Sequence, residues 1–178
     1  MNRASSAVLV RWMIDREIDV CALLNRASRP PMIKKFFVVI SWLGDGKGWY
    51  VLMLALPLLY GDNGVTTSWI MVKVALVNLA LYKVIKGVTG RSRPCMVNAD
   101  ITLGTAPLDQ YSFPSGHTMH AVAFSIIIAA HHSELTGVVM VFSSLIAFSR
   151  IILGLHYPTD VIAGGLIGGY VASFWLTS

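Results

Sequence analysis

An all-α membrane bundle is the fold class this sequence predicts: about five transmembrane helices, preceded by an amphipathic helix lying at the interface. Three observations carry that prediction. The 178 residues are 55% hydrophobic and only 13% charged, where a soluble domain carries about 25% charged residues. Five stretches, at 46–61, 67–86, 115–132, 136–154 and 158–177, approach the ~20 apolar residues that a bilayer core asks of a helix. Their ends coincide with glycine, proline and charged side chains, which break helices or sit at headgroup level. The expected organisation is one membrane-embedded domain over 1–178, with interfacial helices in 1–45 and the transmembrane core in 46–178.

The first 45 residues differ from the rest. From Ala7 to Leu24 apolar residues recur at helical spacing, while Arg11, Asp15 and Asp19 repeat every four positions on one stripe. That is the pattern of an interfacial amphipathic helix with i,i+4 ion pairs. Its charges interrupt any leader-like apolar run, so no cleaved leader is expected. Arg29-Pro30-Pro31 ends this helix. Residues 33–43 carry Lys34 and Lys35 and are too short to span, so they read as a surface or re-entrant helix, ending at the Gly44–Gly48 turn. Trp12, Trp42, Trp49, Trp69 and Trp175 fall near segment ends, as interfacial tryptophans do. Lys73 is expected to snorkel at the far face. His131 and His132 are expected to be solvated there. Gly164, Gly165, Gly168 and Gly169 form a small-residue stripe for close helix packing. Cys21 and Cys95 have no metal-ligand spacing and read as free thiols. The net charge of +5 comes without an aromatic-interleaved basic module, which argues against nucleic acid and for anionic lipid headgroups as partner.

Three short segments carry the chemistry. Lys86 closes the second span and Arg93-Pro94 follows seven residues on, so two cations converge where Pro94 disfavours further helix. Arg93 offers a planar fork of donors for an oxyanion and Lys86 a point charge. Pro114-Ser115-Gly116-His117 opens the third span. Proline at the first helical position leaves the Ser115 and Gly116 N–H groups free to bind an anion at the positive end of the helix dipole. His117, in the first turn, is placed to protonate a leaving oxygen. Ser149 and Arg150 lie near the end of the fourth span, where a bare arginine is costly and demands a partner. His156 and Asp160 straddle the start of the last helix. Their spacing lets the carboxylate take one imidazole N–H and leave the other nitrogen as nucleophile. Spans two and four exit where spans three and five enter, so all these residues share one face. His120 is a candidate to face the same site, and Asp45 and Lys47 to reach its rim.

At these residues the chain resembles the type 2 phosphatidic acid phosphatase family, which shares its site with vanadium haloperoxidases and acid phosphatases. The resemblance covers roughly residues 80–165 and departs nowhere within Lys86…Arg93-Pro94, Pro114–His117 or Ser149-Arg150…His156…Asp160. It implies a membrane-embedded phosphatase that hydrolyses a lipid phosphomonoester or diphosphate through a phosphohistidine. In that reading His156 attacks, Asp160 orients it, and His117 protonates the leaving group and then activates water. Lys86, Arg93, Ser115, Gly116 and Arg150 hold the phosphate oxygens. No metal or other cofactor is implied, and no acidic pair offers itself to Mg²⁺.

The same site admits two alternatives: a lipid phosphotransferase, or a non-catalytic anion-binding or transport protein. The substrate candidates are phosphatidic acid, phosphatidylglycerophosphate, a polyprenyl (di)phosphate, a polyprenyl-phosphosugar phosphate and a lipid A phosphate. Apart from Lys86, Arg93 and Arg150, ten Lys/Arg fall on the expected catalytic face and Lys73 on the other, which the positive-inside rule reads as a cytoplasmic site. The resemblance favours a bacterial inner membrane with the site on the periplasmic side, and the expectation follows it. Oligomeric state is left open.

Overall fold

The computed structural model describes residues 3–177, and the side chains of 14–177. Among the described residues the chain is helical without strands. The helices are α1 (Arg3–Ala27), α2 (Pro31–Trp42), α3 (Gly48–Thr89), the single turn α4 (Pro94–Val97), α5 (Gly116–His131), α6 (Thr136–Ile152) and α7 (Pro158–Thr177). Three stretches, Pro31–Val97, Ser133–Ile152 and Pro158–Thr177, are long and apolar enough to cross a membrane. Leu58, Leu76, Val138, Leu166 and Tyr170 are exposed on their outer faces, as lipid contact requires. The expected all-α membrane bundle is observed.

The first two predicted spans are two arms of α3. Gly61 has φ +57° inside that helix, a conformation that costs glycine little and other residues more, and there the chain folds back on itself. Ser68 Oγ donates to the Met53 carbonyl across the hairpin at 2.8 Å. A Cβ on Gly64 would overlap the Leu56 carbonyl, so glycine is what lets the arms touch. α5 holds 16 residues, a rise of about 24 Å. It is the inner helix, with Met119, Ala121, Phe124, Ile127 and Ile128 buried against α3, α6 and α7. A Cβ at Gly164 or Gly168 would overlap the carbonyls of Ser115 or Met119, so half of the expected glycine stripe sets the α5–α7 approach. Gly165 and Gly169 have ordinary clearance, 3.7 and 3.5 Å from the nearest side chains.

Several expectations change. The Gly44–Gly48 turn is a wide helical turn, Leu43–Lys47, that carries α2 into α3, with the break at Gly46. α1 is more than a surface helix. Cys21 and Ala22 are buried against Ile151 and Tyr157, and the Asn25 amide donates to the Thr102 and Ile152 carbonyls at 2.9 Å each. Asp15 and Asp19 are exposed; Arg11, their expected partner, and Trp12 lie outside the described side chains. Trp42 and Trp69 are exposed as expected, but Trp49 is buried between Phe124 and Phe142. Lys73 sits over the Trp175 ring at 5.4 Å. His132 is buried rather than solvated, its Nε2 3.0 Å from Thr67 Oγ1 and its ring against Tyr60. Both cysteines are free.

Candidate active site

Helix ends converge on one cavity of about 380 Å³. Lys86 reaches it from the last turn of α3, Arg93 from the residue before α4, Gly116 and His117 from the start of α5, Arg150 from the end of α6, and His156 from the α6–α7 turn. Residues 156, 150 and 117 thus share one chamber on one side of the bundle, as the sequence led us to expect. His120 lines it as well, its Nδ1 2.9 Å from the Gly116 carbonyl. Asp45 and Asp109 also line it, and its apolar side comes mostly from α3: Met53, Val72, Leu76 and Leu79.

The His156 ring is buried, and its Nε2 lies 3.4 Å from Arg93 Nη1. A guanidinium is only ever a donor, so it presents its N–H to an accepting Nε2. The ring's Nδ1 faces Asp160 Oδ2 at 3.5 Å, an ion-pair distance longer than a hydrogen bond. Burial, followed by the charges of Arg150, Arg93 and Lys86, pushes His156 well below the usual imidazole pKa of 6.5. The ring is therefore neutral at physiological pH, the form in which a nitrogen lone pair is available.

Asp160 lies behind this ring, outside the cavity wall, and is hydrogen-bonded through both of its oxygens. Its Oδ2 accepts the Tyr157 N–H at 2.9 Å, and its Oδ1 accepts from Arg91 Nη1 at 2.7 Å. Arg91 also donates to Thr159 Oγ1 at 2.8 Å and pairs with Glu17 Oε2 at 2.6 Å. Glu17 Oε1 in turn accepts the Thr159 N–H at 2.9 Å, near the N-terminus of α7, where negative charge is favoured. Arg91 is one of the ten further Lys/Arg that the sequence puts on the catalytic face; the structure makes it the clamp between α1 and Asp160.

The cations are not bare. Lys86 Nζ contacts both oxygens of Asp109 at 2.7 and 2.9 Å, and Arg93 Nη2 contacts Asp109 Oδ1 at 2.8 Å. The convergence of Lys86 and Arg93 on one anion is observed, with a carboxylate as that anion. Burial acts to raise the Asp109 carboxyl, but the hydrogen bond and charge of Lys86 and the charge of Arg93 outweigh it and hold the group below 3.8. Arg150 donates from Nη1 to the Ser41 hydroxyl, while its buried Nε has no hydrogen-bond partner among the described residues. His117 Nε2 is hydrogen-bonded to Asp45 in the Leu43–Lys47 turn, so Asp45 reaches beyond the rim to an active-site ring.

One expectation is corrected. Helix α5 begins at Gly116, not at Pro114, and Ser115 is its N-cap. The Ser115 N–H is not free: it donates to the Asp160 carbonyl at 3.0 Å. Its hydroxyl is 3.0 Å from Thr118 Oγ1, and it is fully buried away from the cavity wall. Ser115 therefore joins α5 to α7, and from its segment only Gly116 and His117 face the chamber.

The sequence reading missed Asp109, Arg91, Glu17 and Ser41. For Asp109 a signal was present. Several cations facing one another in a low-dielectric site require a counter-carboxylate, and the loop 95–113 contains just Asp100 and Asp109. Glu17 and Ser41 had no such signal, because their partners lie far along the chain.

A helical membrane bundle with a cationic, histidine-bearing chamber at one end defines the class of protein. Residues 67–178 match the profile described as the PAP2 superfamily, and the chain belongs to that superfamily. It is 34% identical over 141 residues to decaprenylphosphoryl-5-phosphoribose phosphatase of Mycolicibacterium smegmatis, covering 78% of this chain and 74% of that one. Among solved structures, LpxE of Aquifex aeolicus superposes with TM-score 0.78 at 25% identity, covering 90% of this chain and 94% of that one. A transmembrane PAP2-type phosphatidylglycerolphosphate phosphatase of Bacillus subtilis shares the fold, with TM-score 0.70 at 22% identity over 99% and 96% of the two chains. The protein is a bacterial membrane phosphatase acting on phosphate esters of lipids.

Proposed function

We propose that this chain removes a terminal phosphate from a polyprenyl-anchored phosphate ester, with His156 as nucleophile. The observation that carries the reading is the cavity itself. It joins a chamber lined by Lys86, Arg93, Arg150, His117 and His156 to an apolar wall on α3 that includes the exposed Leu76. A headgroup thus fits at the membrane edge while its tail stays among apolar side chains. The polyprenyl class comes from the Mycolicibacterium smegmatis relative, whose name gives a decaprenyl-linked substrate.

In this reading the phosphate takes the cations now held by Asp109, and the buried Arg150 Nε supplies a further donor. The lone pair on His156 Nε2 attacks phosphorus while the bond from phosphorus to the lipid oxygen breaks. His117 gives that oxygen the proton its Nε2 now shares with Asp45, and the lipid alcohol leaves. Water then attacks the phosphohistidine, passes a proton to His117 and frees orthophosphate. Fixed donors around the equatorial oxygens stabilise the charge that spreads over them, which is the main demand of phosphoryl transfer. Asp160, held by Arg91 and Tyr157, faces Nδ1 and supports the charge that develops on the ring.

The site is further proposed to face the periplasm from the bacterial inner membrane. Membrane-impermeant thiol labelling of cysteines placed at Val65 or Ser133 in intact cells tests this. Labelling of those positions, which belong to the opposite face, would put the site in the cytoplasm instead. The substrate is tested by phosphate release from purified protein presented with polyprenyl phosphosugar phosphate, polyprenyl diphosphate, phosphatidylglycerophosphate and a lipid A phosphate. His156→Ala is the blank. Release from a polyprenyl ester above that blank supports the reading; release confined to the glycerolipids or lipid A contradicts the polyprenyl assignment.

A further inference from the structure

We infer that Asp109 is a built-in competitor for the phosphate cradle: its carboxylate occupies the donors a phosphate needs and lowers the affinity for every anion, so that orthophosphate, with no tail to offset the cost, is held only weakly. The inference rests on the phosphate-binding role proposed above for Lys86 and Arg93. Asp109 meets both cations with charge-assisted hydrogen bonds, at 2.7 and 2.9 Å to Lys86 Nζ and 2.8 Å to Arg93 Nη2. A phosphate oxygen needs those same donors, so the two anions compete for one position.

The carboxylate is built to leave without dismantling the loop that carries it. Its side chain is 36% exposed, whereas the side chains of Lys86 and Arg93 are 7% and 3% exposed. Those cations also hold the loop by its backbone. Arg93 donates to the Asp109 carbonyl at 3.0 and 3.3 Å, and Lys86 to the Tyr111 carbonyl at 2.8 Å. Rotation of one side chain therefore clears the cradle while the main chain stays tied. Any anion that enters must first break these three charge-assisted hydrogen bonds, a cost that falls on every ligand alike. A lipid substrate offsets it by burying its tail along the α3 wall; orthophosphate has nothing to set against it. After hydrolysis the same carboxylate returns to the cations and favours release of the product.

Binding of sodium orthovanadate, a phosphate analogue without a tail, tests this on the purified full chain in detergent by titration calorimetry. Asp109→Asn and Asp109→Ala are expected to bind vanadate about tenfold or more tightly than the wild type, a gain of ~1.4 kcal/mol, and orthophosphate should follow the same order. Asp109→Glu, which keeps the charge, should bind like the wild type. Unchanged or weaker vanadate binding in both neutral variants, with measurable binding to the wild type, overturns the inference and leaves the phosphate site standing. No binding to any variant overturns the phosphate site with it. A tighter vanadate complex in either neutral variant suffices if the other does not fold, since loss of a merely structural contact does not create affinity.

Discussion

Replacing Arg91 by alanine should damage the protein at two levels. The guanidinium bridges Glu17 of α1 and Asp160 of α7, with ion-pair contacts of 2.6 and 2.7 Å, and lies 4.0 Å from the centre of the Tyr157 ring. Its side chain is 25% exposed and that of Asp160 is 0% exposed, so the substitution leaves a fully buried carboxylate with no cation paired to it, only the Tyr157 N–H, the Ser112 hydroxyl and a more distant imidazole. Removing one partner of a buried pair costs about 3–5 kcal/mol; partial exposure of Arg91 argues for the lower end. At about 2–4 °C per kcal/mol for a chain of this size, the melting temperature in detergent should fall by roughly 6–12 °C. Glu17→Gln should cost less, because its amide oxygen still accepts the Thr159 N–H. The double variant should fall short of the sum of the singles by about 0.5–3 kcal/mol, as coupled neighbours do. Turnover should fall with Arg91→Ala while KM changes little, since in the proposed mechanism Asp160 acts on the His156 ring and it lies off the cavity wall. A variant that melts within a degree of wild type, or strictly additive singles, would refute the clamp.

Other predictions follow from the same geometry. His156 is held neutral in the fold, whereas the unfolded chain takes up a proton near pH 6.5; the unfolded state then binds more protons, so stability falls as pH drops below about 6.5. His156→Asn should flatten that part of the melting-temperature profile, and an unchanged slope would show that another group sets it. Gly168→Val should fail to fold or lose its helix packing, because a Cβ there overlaps the Met119 carbonyl, whereas Gly165→Ala, with 3.7 Å of clearance, should melt near wild type. Ser115→Ala should retain phosphate binding but lose about 1 kcal/mol of stability as a lost N-cap, measured by vanadate titration beside thermal melting; a collapse of vanadate affinity would restore Ser115 to the cradle.

The bundle was readable because membrane spans announce themselves by composition and length, and the α3 hairpin needed only the break between residues 61 and 67. Lys86, Arg93, Gly116, His117, Arg150 and His156 were also readable, since each sits at a helix end whose side of the membrane follows from counting crossings. What stayed hidden is pairing across the chain. Glu17 and Arg91 are 74 positions apart, and Asp45 and His117 are 72 apart, separations over which periodicity says nothing. Ser115 was misjudged for a different reason. A proline before a helix frees amides only if nothing else caps them, and here the Asp160 carbonyl of a neighbouring helix takes the amide first. His132 was misplaced likewise: a histidine pair at a helix end reads as solvated until Tyr60 and Thr67 are seen to enclose one of the rings.

In the proposed mechanism His156 carries the phosphoryl group. Its most direct measurement is peptide mass spectrometry of His117→Ala, quenched at alkaline pH during turnover of an aryl phosphate whose leaving group needs no protonation. Phosphate is expected on His156, accumulating because the ring proposed to activate water is gone, and none in the His117→Ala/His156→Ala double variant. Phosphate on another residue, or turnover surviving in His156→Ala, would contradict it.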